Sequence, residues 1–433
     1  MRKITYTIIV LALFGSLRIY AQCDTCVIPL EECINYALSY NPAIKKATNE
    51  LNLKTLAIKS AMSALYPVIS TDISGGFSNE YRSNLNYKTG TAVLSADQAL
   101  WQNGRINADI EQASFLARSE GFTLDARKMD IISSVKIAYL NCLLQRQLLN
   151  IAVDNVSKAN LFLEYAQERY KVGAGRKSEV LKAESDLYEA QFDKDSYLNS
   201  IAVAQNELAM LTGLSRDRFS KLEDRRRFNR PVEFEEQIDS LLTKAYRNYP
   251  ELQIIKNNQL AQQARVRLAQ DELFPRIGLN AGYNWSYNPV FQEQKGWFTL
   301  VTLRWQLYNG NAHRTQVKSE ITRGTIIENA KSEVENWLLK EINNRIINIR
   351  EAISQIRLTG HMIITTSENL EIARAQYTSG TGSILELADA RIADLNSRQK
   401  NIIAVTACQI ALVNLERLTE NINQYKYQNE KSF

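Results

Sequence analysis

The sequence predicts a mainly α chain with a small membrane β component, built as duplicated helix–β-hairpin–helix units. Three observations lead there: an internal repeat at a steady offset, helical stretches too long for a globular core, and short alternating segments whose apolar face turns aromatic at one end.

The repeat comes first because it fixes how everything else is read. Asn41-Pro42 recurs as Tyr249-Pro250, and Leu65-Tyr66-Pro67 as Leu273-Phe274-Pro275. Leu100-Trp101-Gln102-Asn103-Gly104 returns as Leu307-Tyr308-Asn309-Gly310 with one residue fewer. Tyr170-Lys171-Val172-Gly173 returns as Tyr377-Thr378-Ser379-Gly380, and Leu211-Thr212-Gly213 as Leu418-Thr419-Glu420. The offset stays between 206 and 208 throughout. Two structural repeats are expected, 22–213 and 236–420, joined by a charged linker, 214–235, that carries Arg225-Arg226-Arg227. Residues 421–433 are a polar tail, expected to be poorly ordered.

Before the first repeat, residues 1–21 read as a secretory signal. Arg2 and Lys3 precede an apolar run from Ile4 to Leu17, and Ala21 offers a small residue for cleavage before Gln22. That run is about 14 residues, short of the roughly 20 that a spanning helix needs. No later segment reaches that length without charges, so no helical membrane span is expected. The chain has 52 Lys+Arg and 47 Asp+Glu, and without Arg2, Lys3 and Arg18 of the leader the balance is 49 to 47. A nearly neutral mature chain gives no reason to expect nucleic acid or a polybasic membrane patch. The five cysteines are Cys23, Cys26, Cys33, Cys142 and Cys408. Export permits a disulfide among the first three, and lipidation of Cys23 is the other reading of the mature start. Cys23-Cys26 lacks a second CxxC or a His pair, only His313 and His361 being present, so neither a metal nor a cofactor is expected. Cys142 and Cys408 fall on apolar helical stripes, as small core residues do.

Within each repeat the period changes twice. Residues from Leu30 to Leu65 read as helix with an early break at Pro42, and Pro67 ends it. A β-hairpin follows at 68–100, and its counterpart at 276–308. Long helices are then expected over 105–172 and 311–379, each about 100 Å at 1.5 Å per residue. Their heptad seam is expected at Val135, Ala138, Cys142, Gln145, Leu149, Ala152, Val156, Ala159, Leu163, Ala166 and Tyr170. Ile342, Ile349, Ile356, Ile363, Leu370 and Tyr377 hold the same place in the second copy. Gly173 and Gly175, and again Gly380 and Gly382, turn the chain into shorter helices at 176–213 and 383–420. Rods of this length with narrow seams must pack laterally on neighbours.

The hairpins carry the membrane signature. Ile277, Leu279, Ala281, Tyr283, Trp285 and Tyr287 alternate with Gly278, Asn280, Gly282, Asn284 and Ser286, and the returning strand sets Thr299, Val301, Leu303, Trp305 and Leu307 on one face. Alternation over about ten residues ending in aromatics suits a lipid-facing barrel strand. Ile69, Thr71, Ile73 and Phe77 repeat it more weakly, because Gly75 interrupts them. A soluble sheet with one face on a core is the alternative. Four strands cannot close a membrane barrel, which must leave no open edge. Two copies make a barrel filled by side chains, whereas three make twelve strands and leave a passage.

These motifs, in this order, resemble the TolC-like outer-membrane efflux proteins over nearly the whole mature chain. The residues that carry the resemblance are the Leu-Tyr-Pro ending before the first strand, the Trp101-Gln102-Asn103-Gly104 exit, and Tyr170-Lys171-Val172-Gly173 followed by Glu179-Val180. Tyr377 with Gly380 and Glu386-Leu387 repeats the last of these. The resemblance implies a homotrimer with a twelve-stranded β-barrel in outer-membrane lipid, continuing into a long periplasmic α-helical barrel. It implies the exit duct of a tripartite efflux or type I secretion system, joined through a periplasmic adaptor (membrane fusion) protein to an inner-membrane transporter. It also implies a periplasmic gate. Glu386 and Asp389 would ring the tip, six carboxylates in a trimer, while Tyr377, Ser178 and Glu179 would make the polar links that hold it shut. Gly173, Gly175, Gly380 and Gly382 mark the tip that contacts the adaptor. Gly382 departs from relatives that carry a basic linking residue there, and Arg176 is the candidate substitute.

An enzyme is not expected, since no catalytic constellation or phosphate-binding glycine loop occurs. The rival class is a soluble periplasmic coiled-coil adaptor or structural protein. Detergent dependence separates it from a barrel.

Overall fold

The computed structural model describes residues 27–80, 85–223, 237–288 and 292–420. The signal segment, Cys23, Cys26, Arg225-Arg226-Arg227 and the tail lie outside the described residues. The first unit runs α1 (Leu30–Tyr40), α2 (Pro42–Met62), β1 (Val68–Glu80), β2 (Leu85–Trp101), α3 (Arg105–Lys171) and α4 (Lys177–Thr212). The second repeats it as α5 (Ile238–Asn248), α6 (Pro250–Asp271), β3 (Arg276–Asn288), β4 (Gln292–Arg304), α7 (Ala312–Ser379) and α8 (Ile384–Thr419).

Proline breaks the first helix of each unit by occupying its N1 position, where the missing N–H costs nothing. The residue before the break does two jobs. Asn41 accepts from the Ala43 N–H at 2.9 Å and donates from Nδ2 to the Leu211 carbonyl at 3.1 Å. Asn248 donates likewise to the Thr419 carbonyl at 2.8 Å. Each short helix is thereby capped onto the C-terminal end of its unit's other short helix. Two stacked short rods thus lie along one long one, as the helix lengths suggested.

All four strands form one antiparallel sheet in the order β1-β2-β3-β4. Its register explains why the repeat offset drifts. Glu80 pairs with Leu85 and Asn288 with Gln292, which drops the offset from 208 to 207 at the hairpin tips. A bulge between Ala99 and Trp101 then absorbs one further residue in the first copy only. Because side chains alternate across a strand, the pairing puts Ile69, Ile73, Phe77, Leu94, Trp297, Val301 and Leu303 on one face with Ile277, Leu279, Tyr283 and Trp285. Phe77 and Trp297 are 86% and 85% exposed, as a surface meant for lipid must be in a lone chain. The opposite face carries Ser70, Ser74, Ser95, Asp97 and Asn280, with Ser70–Ser95, Ser74–Thr91 and Asn280–Asp97 hydrogen-bonded across strands. β4 stops at Arg304, so Trp305 and Leu307 leave the strand face expected of them. The Trp305 indole instead donates to the Leu273 carbonyl at 3.1 Å, turning the chain toward α7.

The helices form an arc at two levels. Beside the sheet, the neighbours run α2–α3–α6–α7; beyond the middle they run α4–α3–α8–α7. At both levels α7 is one edge, and α2 or α4 the other. α1 and α5 lie between the levels and close two cores. In one, Ile28, Cys33, Met129, Val135, Tyr139, Cys142 and Phe219 pack together. There the Tyr139 hydroxyl bonds to the Ile28 and Glu223 carbonyls. Cys33 carries a free thiol, not a disulfide. Burial pushes the Cys33 and Cys142 thiols up to about 12.

The seam of α3 corrects the expected heptads. Val135, Ala138 and Cys142 are buried, but from Leu148 onward the buried set is Leu148, Ala152, Asn155, Ala159, Phe162 and Ala166. Leu149, Val156 and Leu163 stand one position off it, and Tyr170 is half exposed. That set still holds the 3-4 spacing, with Ala152, Ala159 and Ala166 where they were expected; the flanking positions differ because α3 serves two neighbours, α4 and α8, rather than one. α8 is long and apolar enough to cross a membrane by composition, yet nearly half of that window is buried against the other helices.

Candidate functional site at the helical tip

Two turns close the end of the molecule farthest from the sheet, α3 to α4 and α7 to α8. They share one geometry. Gly173 and Gly380 sit at φ +73° and +84°, where a side chain strains the backbone. The Arg169 carbonyl accepts from the Ala174 and Gly175 N–H groups, as the Gln376 carbonyl does from Thr381 and Gly382. A Cβ on Gly382 would lie 3.0 Å from the Gln376 Cβ and 3.2 Å from the Gln376 carbonyl carbon, so a side chain at this position requires the turn to give by a few tenths of an ångström.

Tyr377 is the centre of the site. It is 1% exposed, in a small core with Phe162, Leu370, Ala373, Leu387 and Ala390. Its hydroxyl donates to Glu179 Oε2 at 3.4 Å, a link between α7 and α4. Burial raises the Tyr377 pKa, the Glu179 carboxylate adds to that, and Arg169 opposes it. Arg169 is the residue that sequence reasoning missed. Its guanidinium lies 4.7 Å from the Tyr377 ring centroid, and Nη1 donates to the Tyr377 carbonyl at 2.5 Å. The signal was present, because Arg169 occupies the position of Gln376 in the other copy and so breaks the repeat at a turn. Arg176 and Ser178 are exposed, and within one chain neither makes a side-chain hydrogen bond among the described residues. A second cross-link, Arg374 to the Tyr165 hydroxyl at 3.2 Å, holds α7 to α3.

The two acidic residues differ in their freedom. Glu386 is the N3 member of a capping box, accepting from the Ser383 N–H at 3.0 Å while Ser383 Oγ accepts from the Glu386 N–H at 3.2 Å. Asp389 is exposed one turn on, without a side-chain hydrogen bond or ion pair among the described residues. Behind them a buried polar layer ties the two units together. Arg391, 5% exposed, donates to Asn155 Oδ1 at 2.8 Å and faces Asp186 at 3.7 Å. Asp394, 2% exposed, receives Arg398 at 3.0 Å and Lys158 at 3.4 Å. Burial lowers the Arg391 pKa, and Asp186 opposes the shift. No single helix reveals this layer, since its members come from α3, α4 and α8.

A rod of helices ending in a small four-stranded sheet with lipid-type residues on one face defines the class: a membrane-anchored helical duct subunit. Residues 33–214 and 241–421 match the family model described as outer membrane efflux protein, and the chain belongs to that family. The two matched stretches correspond to the two repeats. The chain is 23% identical to the outer membrane protein TolC of Vibrio cholerae, over 86% of each chain. It is 21% identical to the cation efflux system protein CusC of Escherichia coli, over 84% of this chain and 80% of that one. Among solved structures, CusC superposes with a TM-score of 0.81 at 17% identity, covering 90% of this chain and 92% of that one. VceC of Vibrio cholerae superposes with a TM-score of 0.76 at 17% identity, covering 90% and 96%. The chain is therefore an outer-membrane efflux channel protein with a periplasmic extension, of a family of transport proteins rather than enzymes.

Proposed function

We propose that three copies close into the duct, through which a periplasmic adaptor and an inner-membrane transporter deliver substrate to the exterior. The observation that carries this reading is the pair of open edges. β1 and β4 each lack a strand neighbour among the described residues. In lipid such an edge costs several kcal/mol per unsatisfied backbone group, about what is needed to enforce closure. The same handedness continues down the helices, so β1, α2 and α4 of one copy meet β4 and α7 of the next. Both edges expose apolar side chains: Tyr188, Phe192 and Val203 on α4, Ile347, Leu358 and Ile364 on α7. The interface is heterologous, and a heterologous contact that closes gives a ring.

At the tip, Arg169, Tyr377 and Glu179 form the latch that keeps each chain's two turns together. Asp389 and the free oxygen of Glu386 make a carboxylate ring that favours cations. The glycine turns at Gly173–Gly175 and Gly380–Gly382 are the projecting surface that an adaptor meets. Light scattering of the purified protein tests the assembly: a trimer that needs detergent is expected, and a monodisperse monomer in plain buffer would refute the three-copy duct. A cysteine at Phe192 should also cross-link between chains to one placed within 358–364 of α7.

A further inference from the structure

Each open edge of the sheet carries a charge without a partner among the described residues. Arg304 closes β4 and stands directly opposite Arg276 on β3, on the polar face shared with Asn280. Like charges set opposite one another are destabilising unless a counter-charge answers them. Glu272 answers Arg276 at 3.8 Å, but Arg304 is exposed and makes no side-chain hydrogen bond or ion pair among the described residues. On the other edge, Asp72 of β1 lies on the same polar face with Ser70 and Ser74. It too is exposed, with no side-chain hydrogen bond or ion pair among the described residues.

The internal repeat says how these edges meet. Val68 opposite Asp97 corresponds to Arg276 opposite Arg304, so β1 maps onto β3 with an offset of 208 and β2 onto β4 with an offset of 207. Within the chain the two repeats join through β2 and β3, and that seam sets Asp97 against Asn280, whose amide donates to the carboxylate. A closed barrel needs a uniform strand tilt and stagger, so the seam from β4 to β1 of the next copy takes the register of the seam from β2 to β3. Carried through the two offsets, Asp97 against Asn280 becomes Arg304 against Asp72 of the next copy. The bulge between Ala99 and Trp101 lies beyond Asp97 and leaves this correspondence intact. The neighbouring pairs agree with it: Leu303 meets Ile73 on the lipid face, and Thr302 meets Ser74 on the lumenal one. A slip of two residues, the smallest that keeps both faces, would set Arg304 against Ser70 or Ser74 and leave the two charges unopposed.

We propose that Arg304 of each copy pairs with Asp72 of the next across the lumenal face of the barrel, and that this ion pair fixes the strand register on which the ring closes. The proposal deepens the duct reading and rests on it. The pair also makes the seam between copies chemically different from the seam within the chain. A strand β2 offered to β1 of another copy in the same register would set Asp97 against Asp72, two carboxylates, and the repulsion disfavours that misassembly.

The test is disulfide cross-linking of the detergent-solubilised protein, its mass checked by light scattering in the same buffer. Directly opposed residues of antiparallel strands have Cα atoms about 4.5–5.5 Å apart, within the span of a disulfide. D72C/R304C should therefore give covalently joined chains on a non-reducing denaturing gel, at least about tenfold more than S70C/R304C or S74C/R304C, with D72C and R304C alone as controls. Charge exchange reads the ion pair itself. R304D should dissociate on heating at least about fivefold faster than the parent, and R304D/D72R should return close to it. Because an aspartate at 304 faces Arg276 within its own chain, R304D does not lose its fold for want of a counter-charge. A trimer whose shifted cysteine pairs cross-link as well as or better than D72C/R304C, or that does not cross-link at all, would overturn the register and leave the duct standing. A trimer that cross-links as expected but is not weakened by R304D, or not restored by the exchange, would overturn the ion pair. A sample that is not a trimer would fail the duct instead.

Discussion

Replacing Arg169 by Gln makes the first tip turn resemble the second, where Gln376 stands. The substitution removes a cation–π contact at 4.7 Å and a charged hydrogen bond to the Tyr377 carbonyl. The former contributes about 0.5–2 kcal/mol depending on solvation, and the latter roughly 1.5–3 kcal/mol. Tyr377 keeps its apolar surroundings and its long 3.4 Å bond to Glu179, so only part of the latch is lost. A cost near 2 kcal/mol per chain changes the latched fraction about thirtyfold, since each 1.4 kcal/mol is a factor of ten. Single-channel recording in a planar bilayer should therefore show R169Q open more often than the parent, with Y377F, which loses only the weak hydroxyl link, shifted less. Thiol labelling of a cysteine at Ser178 gives an independent reading of the same opening. If conductance and labelling are unchanged in R169Q while the trimer stays intact, Arg169 is not a latch and the reasoning fails.

Three further outcomes follow from the same geometry. Arg417 is 13% exposed, bonds to Asp130 at 2.8 Å and Glu251 at 2.6 Å, and leans on the Tyr249 ring, so R417M should cost about 1–3 kcal/mol by leaving the partly buried Glu251 without its partner; thermal denaturation measures it, and R417M/E251L should recover much of the loss. Arginine at Val301 should cost about 2–4 kcal/mol and at Thr302 close to none, because adjacent residues face lipid and lumen; equal folding yields in the two variants would reverse the face assignment. Cys33 and Cys142 ionise near 9.0 when unfolded but at about 12 when folded. Between those values the unfolded state binds fewer protons, so stability falls as pH rises through that window, by up to about 1.4 kcal/mol per pH unit per thiol. Denaturant midpoints at pH 8 and pH 10 measure this, and maleimide should label both thiols slowly until the chain is unfolded.

Sequence alone determined the parts that depend on local period. Proline at Pro42, Pro67, Pro250 and Pro275 sets helix and strand starts whatever the surroundings, and the strand alternation of Ile277 to Tyr287 survives because a one-residue slip would bury the wrong face. The expectation of more than one copy came from the same local pattern, since four strands cannot satisfy their own edges in lipid. Tertiary structure decided the parts that depend on register between rods some two hundred residues apart. Which turn of α3 meets which turn of α7 places Arg169 on Tyr377 rather than Arg176 or Ser178. Packing of α3 against both α4 and α8 buries Leu148 rather than Leu149 and Asn155 rather than Val156, and so brings Asn155 under Arg391. The cross-strand register sets Arg276 against Arg304. Heptad patterns fix which face of a helix is covered, but long-range electrostatic partners are chosen by axial position, and axial position is a property of the whole packed bundle.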